Sequence, residues 1–311
     1  MLHYGRHHIT EDDIREVANI LRDDIITTGP VAEKFEKAFA EYIGAKHAVV
    51  VCNATAALHL ALLVAGVGQG DRVVTSPNTF LASANCAAFT GATPDFADID
   101  ADTYNLCPQA LEDNWQADTR AVIPVHYAGG PADMAAIAKV ARERGAVVIE
   151  DACHAVGGSI KEDSTLRKIG GHRYADITTF SFHPVKTMTS GEGGMLVTDN
   201  DHYAATARLL RTHGMVRQID NMQGLGMSAY DERGPWYYEM QALGYNMRVT
   251  DFQCALGISQ LSRLDKMIAR RREIVQQYNT AFADVPLIKT PALTDASLRN
   301  HTSWHLYSIQ C

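Results

Sequence analysis

The sequence predicts an α/β fold in which a mostly parallel sheet lies between helices and is followed by a smaller C-terminal domain. Short β-branched runs alternate with helix-length segments, which implies parallel strands covered on both faces. Polar, chemistry-bearing residues close several of the runs, which is where open parallel sheets gather their ligands. At 311 residues the chain can hold a large domain and a smaller one.

Thr10 is placed to cap a first helix with Ile14, Val17, Ala18 and Leu21 on one apolar face, and Phe35, Phe39 and Tyr42 mark a second. Strand AVVVC (48–52) leads to a helix over 55–65, strand RVVTS (72–76) to a helix over 79–90, and TPDFADI (93–99) and AVIPVHY (121–127) are further strands. A helix over 132–144 then precedes strand AVVIE (146–150). ADITTFSF and GMLVTD read as two more strands, joined by the glycine-rich HPVKTMTSGEGG. A long amphipathic helix from about Thr250 carries Phe252, Leu256, Leu261, Leu264 and Ile268 on its apolar side. The domain boundary falls just before it, giving 1–245 as the N-terminal segment and large domain and 246–311 as the start of the small one. SWHLYSIQC is expected to be a strand whose Trp304, Leu306 and Ile309 lack cover, an edge liable to aggregate.

A hydrophobic fraction of 46% and a charged fraction of 21% belong to an ordinary globular protein. The net charge of −8, with Arg270–Arg272 as the one basic run and expected on a solvated helix face, makes nucleic acid an unexpected partner. Six cysteines without C-x-x-C spacing fit a reducing cytoplasm, and the first residues show no signal-peptide pattern. Ala48–Val67 approaches the length of a membrane span, but Asn53, Thr55 and His59 interrupt it, so strand, turn and helix are expected instead.

Among the strand-closing residues, Asn53 follows VVVC, His126 and Tyr127 follow VIPV, Asp151 follows VVIE, and Ser181 and His183 follow ITTF; Lys186 lies in the turn beyond. A lysine and a carboxylate so placed suit pyridoxal 5′-phosphate (PLP): the amine condenses with its aldehyde, and the carboxylate keeps the pyridine nitrogen protonated. Taken singly, Asp151 also reads as a capping carboxylate and Lys186 as a surface charge. The turn Cys52–Ala56 opens a helix whose first N–H groups, with the Thr55 hydroxyl, would hold a phosphate, although Asn and Thr are ordinary caps as well. Gly66-x-Gly68-x-Gly70 follows a helix and precedes a strand, the wrong order for a dinucleotide turn. Asp151-x-Cys153-His154 lacks the two-sided spacing of a zinc site, so no metal is expected.

The words ITTGP (26–30), NATAALHLAL (53–62), TFLASAN (79–85), VHYAG (125–129), IEDACHAVG (149–157), FSFHPVKTMTSGEGG (180–194) and GYNMRVTDFQCALG (244–257) occur in an order that resembles the DegT/DnrJ-type sugar-nucleotide aminotransferases, a branch of the fold-type I PLP enzymes. The resemblance covers essentially the whole chain. It implies that Lys186 holds the cofactor, that Asp151 contacts the pyridine nitrogen, that Phe80 covers one ring face and that His154 lies near the ring and its phenolic oxygen. It further implies that Ala54, Thr55 and Ser181 bind the phosphate, that Asn246 reaches the phosphate of the other subunit of a homodimer, and that Tyr4, Ile26, Thr27, Thr28, Gly29 and His183 face the substrate. Asn53-Ala54-Thr55 departs from the Ser-Gly-Thr often found in relatives, and relatives continue beyond HLY, so a truncated small domain is expected. FHPVKTMTSGEGG and GPWYYEMQALGYNMR are most similar to the branch serving pseudaminic acid synthesis, which implies a UDP-linked 4-keto-6-deoxy-N-acetylhexosamine as acceptor and glutamate as donor. A different keto sugar nucleotide, or a non-catalytic protein of this fold, are the other readings; a sister dehydratase carries histidine in place of the lysine, and Lys186 argues against it.

Overall fold

A computed structural model describes residues 5–23, 25–216 and 236–311. Helix α1 (Glu11–Ile20) starts on a reciprocal cap: the Thr10 hydroxyl accepts from the Asp13 amide while the Asp13 carboxylate takes the Thr10 amide. Its expected apolar face is only in part its contact, with Val17 and Ala18 half-buried. Ile14 and Leu21 are 52% and 57% exposed, and the helix docks also through buried Asp13, which accepts from Ser259, Gln260 and Arg263. Helix α2 (Pro30–Ile43) stops at Gly44, whose φ of +82° ends a helix without strain. Its Phe35 and Phe39 are buried against Phe182 and Phe180, each contributing about 1.5–3 kcal/mol by leaving water.

The chain then alternates through β1 (His47–Val51), α3 (Ala54–Val64), β2 (Arg72–Thr75), α4 (Ala82–Thr90), β3 (Thr93–Phe96), α5 (Pro108–Asp113), β4 (Thr119–Ile123), α6 (Met134–Glu143) and β5 (Val147–Asp151). A hairpin of β6 (Ser159–Glu162) and β7 (Thr165–Lys168) follows, then β8 (Ile177–Ser181), β9 (Gly194–Thr198) and α7 (Asp201–Leu210). A short pair, β10 (Met215–Val216) with β11 (Glu239–Met240), precedes α8 (Asp251–Ser262) and α9 (Leu264–Phe282).

The seven-stranded sheet runs β1-β9-β8-β5-β4-β2-β3, and only β9 runs against the direction of the other six. β8 and β9 are buried at every residue because apolar clusters cover both faces of the sheet. One cluster holds Phe35, Phe39 and Phe180, the other Leu58, Leu60 and Leu62 of α3. Ala48–Val67 thus forms β1 and α3, and among the described residues no helix is long and apolar enough to cross a membrane.

The C-terminal part departs from expectation in three places. The predicted long helix is two helices, broken at Arg263, with α8 capped by Thr250 and Gln253. SWHLYSIQC forms no ladder; a 3₁₀ turn over Ala296–His301 leads into an irregular strap whose Gln310 bridges Lys289. Trp304, expected bare, is 3% exposed, while Leu306 is half-buried and Ile309 is exposed. Only Arg270 of the basic run lies on a solvated face, paired with Glu273; Arg271 and Arg272 turn inward onto the carbonyls of Thr302, Trp304 and His305.

Candidate active site

Six parallel strands end at one edge of the sheet, so β1, β4, β5 and β8 deliver their last residues to a common place. At the end of β5 the Asp151 carboxylate is buried. Its Oδ2 accepts from the Ser83 hydroxyl of α4 at 2.7 Å and its Oδ1 from the Cys153 amide at 3.1 Å. Thr79 lies 2.7 Å from the same Ser83 hydroxyl and fixes its direction. Ser83 has a weak signal in the sequence, a small hydroxyl in an alanine-rich helix.

Lys186 is half-buried in the β8–β9 connection, its amide donating to His183 O at 2.9 Å. The Lys186 charge is felt by His154, Cys153 and His305. Burial first, and Lys186 second, push the His154 imidazole down to about 4. Burial and the Asp151 carboxylate push the Cys153 thiol well up, with Lys186 opposing. Lys186, Asp151, Cys153 and His154 therefore share one electrostatic neighbourhood. His154 Nδ1 is buried without a hydrogen-bond partner, and its ring lies 4.4 Å from that of His305.

The β1–α3 turn forms the neighbouring cradle. Asn53 caps α3 by accepting the Ala56 amide at 2.9 Å, and the amides of Ala54 and Thr55 precede any intrahelical acceptor. Gly194 pairs with Val51 on one side and Ser181 on the other, which brings the Ser181 hydroxyl alongside the start of α3. A Cβ on Gly194 would fall 2.4 Å from the Asn53 carbonyl carbon, so only glycine lets β9 pass this close. Main-chain donors at a helix N-terminus beside a serine hydroxyl suit a phosphate.

The other expected residues are less gathered. Phe80 is 71% exposed at the head of α4. Asn246 is exposed, and the carbonyl of the next residue, Met247, accepts the Cys52 amide, which keeps Asn246 near the cradle. Ile26, Thr27 and Thr28 are exposed and tied to α8 rather than to Lys186: Asp251 N donates to Ile26 O, Gly29 N to Asp251 Oδ1, and Thr27 bridges Thr250. His183 is exposed, and Tyr4 lies outside the described residues. Its neighbour Gly5 packs against Val185, so the N-terminal segment does reach the Lys186 turn. His126, beyond the end of β4, is fully buried, its Nε2 2.6 Å from Glu150.

PLP needs an amine for its aldehyde, an acidic partner for its ring nitrogen and donors for its phosphate; Lys186, Asp151 and the Ala54–Thr55–Ser181 cradle can supply each, and the orphaned His154 Nδ1 leaves a polar atom free for a ligand. The sheet order and the single reversed strand are those of the fold-type I PLP-dependent aminotransferases, and this chain is such an enzyme. Residues 7–311 match the DegT/DnrJ/EryC1/StrS aminotransferase family, to which the chain belongs. It is 45% identical over 309 residues to the spore coat polysaccharide biosynthesis protein SpsC of Bacillus subtilis, covering 99% of this chain and 75% of that one. It is 30% identical to the solved structure of PseC from Helicobacter pylori, an aminotransferase involved in the biosynthesis of pseudoaminic acid, with a TM-score of 0.84 over 99% of this chain and 76% of that one. The putative sugar aminotransferase Spr1654 from Streptococcus pneumoniae, in its PMP form, is 30% identical with a TM-score of 0.86 over 99% and 78% of the two chains.

Proposed function

We propose that the enzyme transfers an amino group from glutamate to C4 of a UDP-linked 4-keto-6-deoxy-N-acetylhexosamine, as a homodimer whose sites draw on both subunits, in the cytoplasm. The observation that carries the transamination is the shared neighbourhood of Lys186, buried Asp151 and neutral His154 beside the cradle. Likeness to PseC and SpsC, together with the words around Lys186 and Asn246, supports a nucleotide-linked sugar.

When bound, PLP supplies an electron-withdrawing ring that stores the electron pair released from the donor's Cα–H bond. In this reading Lys186 is the amine that holds it and, once freed, the base that takes the proton from glutamate Cα and later delivers one to sugar C4. Ser83 fixes the direction of the Asp151 carboxylate, which would meet the ring nitrogen. His154, neutral at pH 7, offers its Nδ1 near the ring oxygen. The amides of Ala54 and Thr55 and the Ser181 hydroxyl bind the phosphate, and Asn246 reaches it from the partner subunit. Phe80 covers a ring face, and Tyr4, Ile26, Thr27, Thr28, Gly29 and His183 face the sugar nucleotide. Glutamate leaves as 2-oxoglutarate.

Borohydride treatment of the purified protein should fix the cofactor to Lys186, and Lys186→Ala should lose the chromophore. With glutamate present, a panel of nucleotide-linked keto sugars should yield an amino sugar from the UDP-linked 4-keto-6-deoxy-N-acetylhexosamine. Transfer only to another panel member overturns the substrate, and a reduced adduct on a different lysine overturns the site.

A further inference from the structure

Residues 302–305 are buried although they belong to no helix or strand, and they are held from two sides. From α9, Arg271 Nη1 donates to the carbonyls of Trp304 and His305 at 3.1 Å each, and Arg272 Nε donates to Thr302 O at 3.0 Å. Toward the sheet, the Ser303 hydroxyl donates to His154 O at 3.0 Å, and Leu306 N donates to Ala128 O. A Cβ on Gly129 would come 2.6 Å from Ser303 Oγ and 2.8 Å from His154 O, so the β4–α6 turn presses the strap onto the chain at His154. Trp304 sits at φ +51°, a conformation unfavourable for a side chain of its size, which the surrounding bonds hold, among them Trp304 Nε1 to Arg299 O. The outcome is a single placement: the His305 ring lies at 37° to the His154 ring with centroids 4.4 Å apart, each with an unpartnered buried Nδ1.

We propose that this strap is a wall of the active site, in which His305 is a positioning residue that holds the His154 ring in place and out of water, and Arg271 holds His305 there. The inference rests on the reading of His154 as a site residue. His154 faces Lys186 and Asp151 from the strand ends, Cys153 from its own chain segment, Tyr127 from the β4 turn and His305 from the strap, with Arg271 behind. Burial and then His154, Lys186 and Arg271 push the His305 imidazole down to about 2, so both rings of the stack stay neutral together. Removing the His305 ring opens a polar, roomy gap that water can enter, and a hydrated His154 takes a proton more readily. A phenylalanine there keeps the ring contact and the dryness.

The test uses the full chain freed of cofactor and carrying ring-¹³C histidine, with the His154 resonance assigned by its loss in His154→Gln. The unmodified chain should keep His154 neutral to about pH 4. His305→Ala should raise that midpoint by at least about one pH unit toward the ordinary histidine value of roughly 6.5. Arg271→Met should raise it in the same direction, and His305→Phe should leave it in place. An unshifted midpoint in a cooperatively folding His305→Ala overturns the proposal, as does an equal rise in His305→Phe. If His305→Ala does not fold, Arg271→Met decides, and its unshifted midpoint overturns the proposal. Because the readout contains no cofactor, it separates this failure from a failure of the PLP assignment, which the borohydride adduct tests.

Discussion

Glu150, beside Asp151 on β5, is fully buried and carries a network that can be perturbed with one substitution. Its Oε1 lies 2.6 Å from His126 Nε2 and 2.8 Å from His172 Nε2, and its Oε2 accepts from the Thr178 hydroxyl at 2.7 Å. Each histidine's Nδ1 accepts a backbone amide, from Ala132 and Tyr174, so both protons sit on Nε2 and both rings donate to Glu150. Burial pushes the Glu150 carboxyl up, but the two histidines outweigh it and hold it well below the usual range. Glu150→Ala strands these donors without an acceptor. At about 1–3 kcal/mol for each buried orphan, less what an admitted water restores, the loss is about 3–6 kcal/mol against a total stability of about 5–15. Glu150→Gln keeps an acceptor for the histidines, and its amide can donate to the Thr178 oxygen, so it should lose about 1–2 kcal/mol. Urea unfolding followed by circular dichroism at pH 7.5 measures both, read as midpoint shifts at unchanged slope. A loss under about 1 kcal/mol for Glu150→Ala would refute the argument that these donors depend on one carboxylate.

Gly194→Ala should displace the start of α3, costing about 1–3 kcal/mol and weakening PLP retention; Gly68→Ala, whose Cβ meets nothing nearer than 3.8 Å, should be silent in both assays. His154 has a folded value of about 4, below its unfolded one, so between roughly pH 6.5 and 4 the unfolded chain binds the extra proton; its share of the stability lost as pH falls there is about 3 kcal/mol, visible as a falling urea midpoint that falls less in His154→Gln, where His305, pushed down to about 2, still contributes. Trp304→Ala should cost about 3–5 kcal/mol by thermal or urea unfolding, where an uncovered tryptophan would cost almost nothing. Ser83→Ala removes a hydrogen bond to a charged group worth about 1.5–3 kcal/mol, and should lower transamination while leaving the secondary structure by circular dichroism intact.

The sheet was legible because its strands are short, rich in β-branched residues and separated by helices, and because Asp151, Ser181 and Asn53 are polar residues that close apolar runs. Lys186 needed the glycine-rich connection around it to stand out from other lysines. What stayed hidden depended on contacts between segments distant in sequence. The stripe Ile14–Leu21 is a fair helix face, yet α1 docks through Asp13 to Arg263, a choice that only the position of α8 explains. Arg271 and Arg272 look like surface charge until irregular carbonyls at 302–305 are placed against them. His126 ends a strand as a ligand residue would, but its proton is committed to Glu150. The apolar alternation around Trp304 predicts a strand and does not reveal a residue at positive φ.

The single reversed strand has a consequence for how the protein assembles. β8 and β9 are neighbours in sequence and in the sheet, so the loop bearing Lys186 can close as a local hairpin early in folding. β1, by contrast, finds its only strand partner among the described residues in β9, after most of the intervening chain has been laid down. The cradle of Ala54, Thr55 and Ser181 exists only once that last seam is shut. With the cofactor's phosphate held there as proposed, binding would select chains whose sheet is complete and by mass action draw unfinished ones toward closure, adding about 2.7 kcal/mol at a hundred times the dissociation constant. The vitamin would act in this way as a late folding ligand before it serves as a reagent.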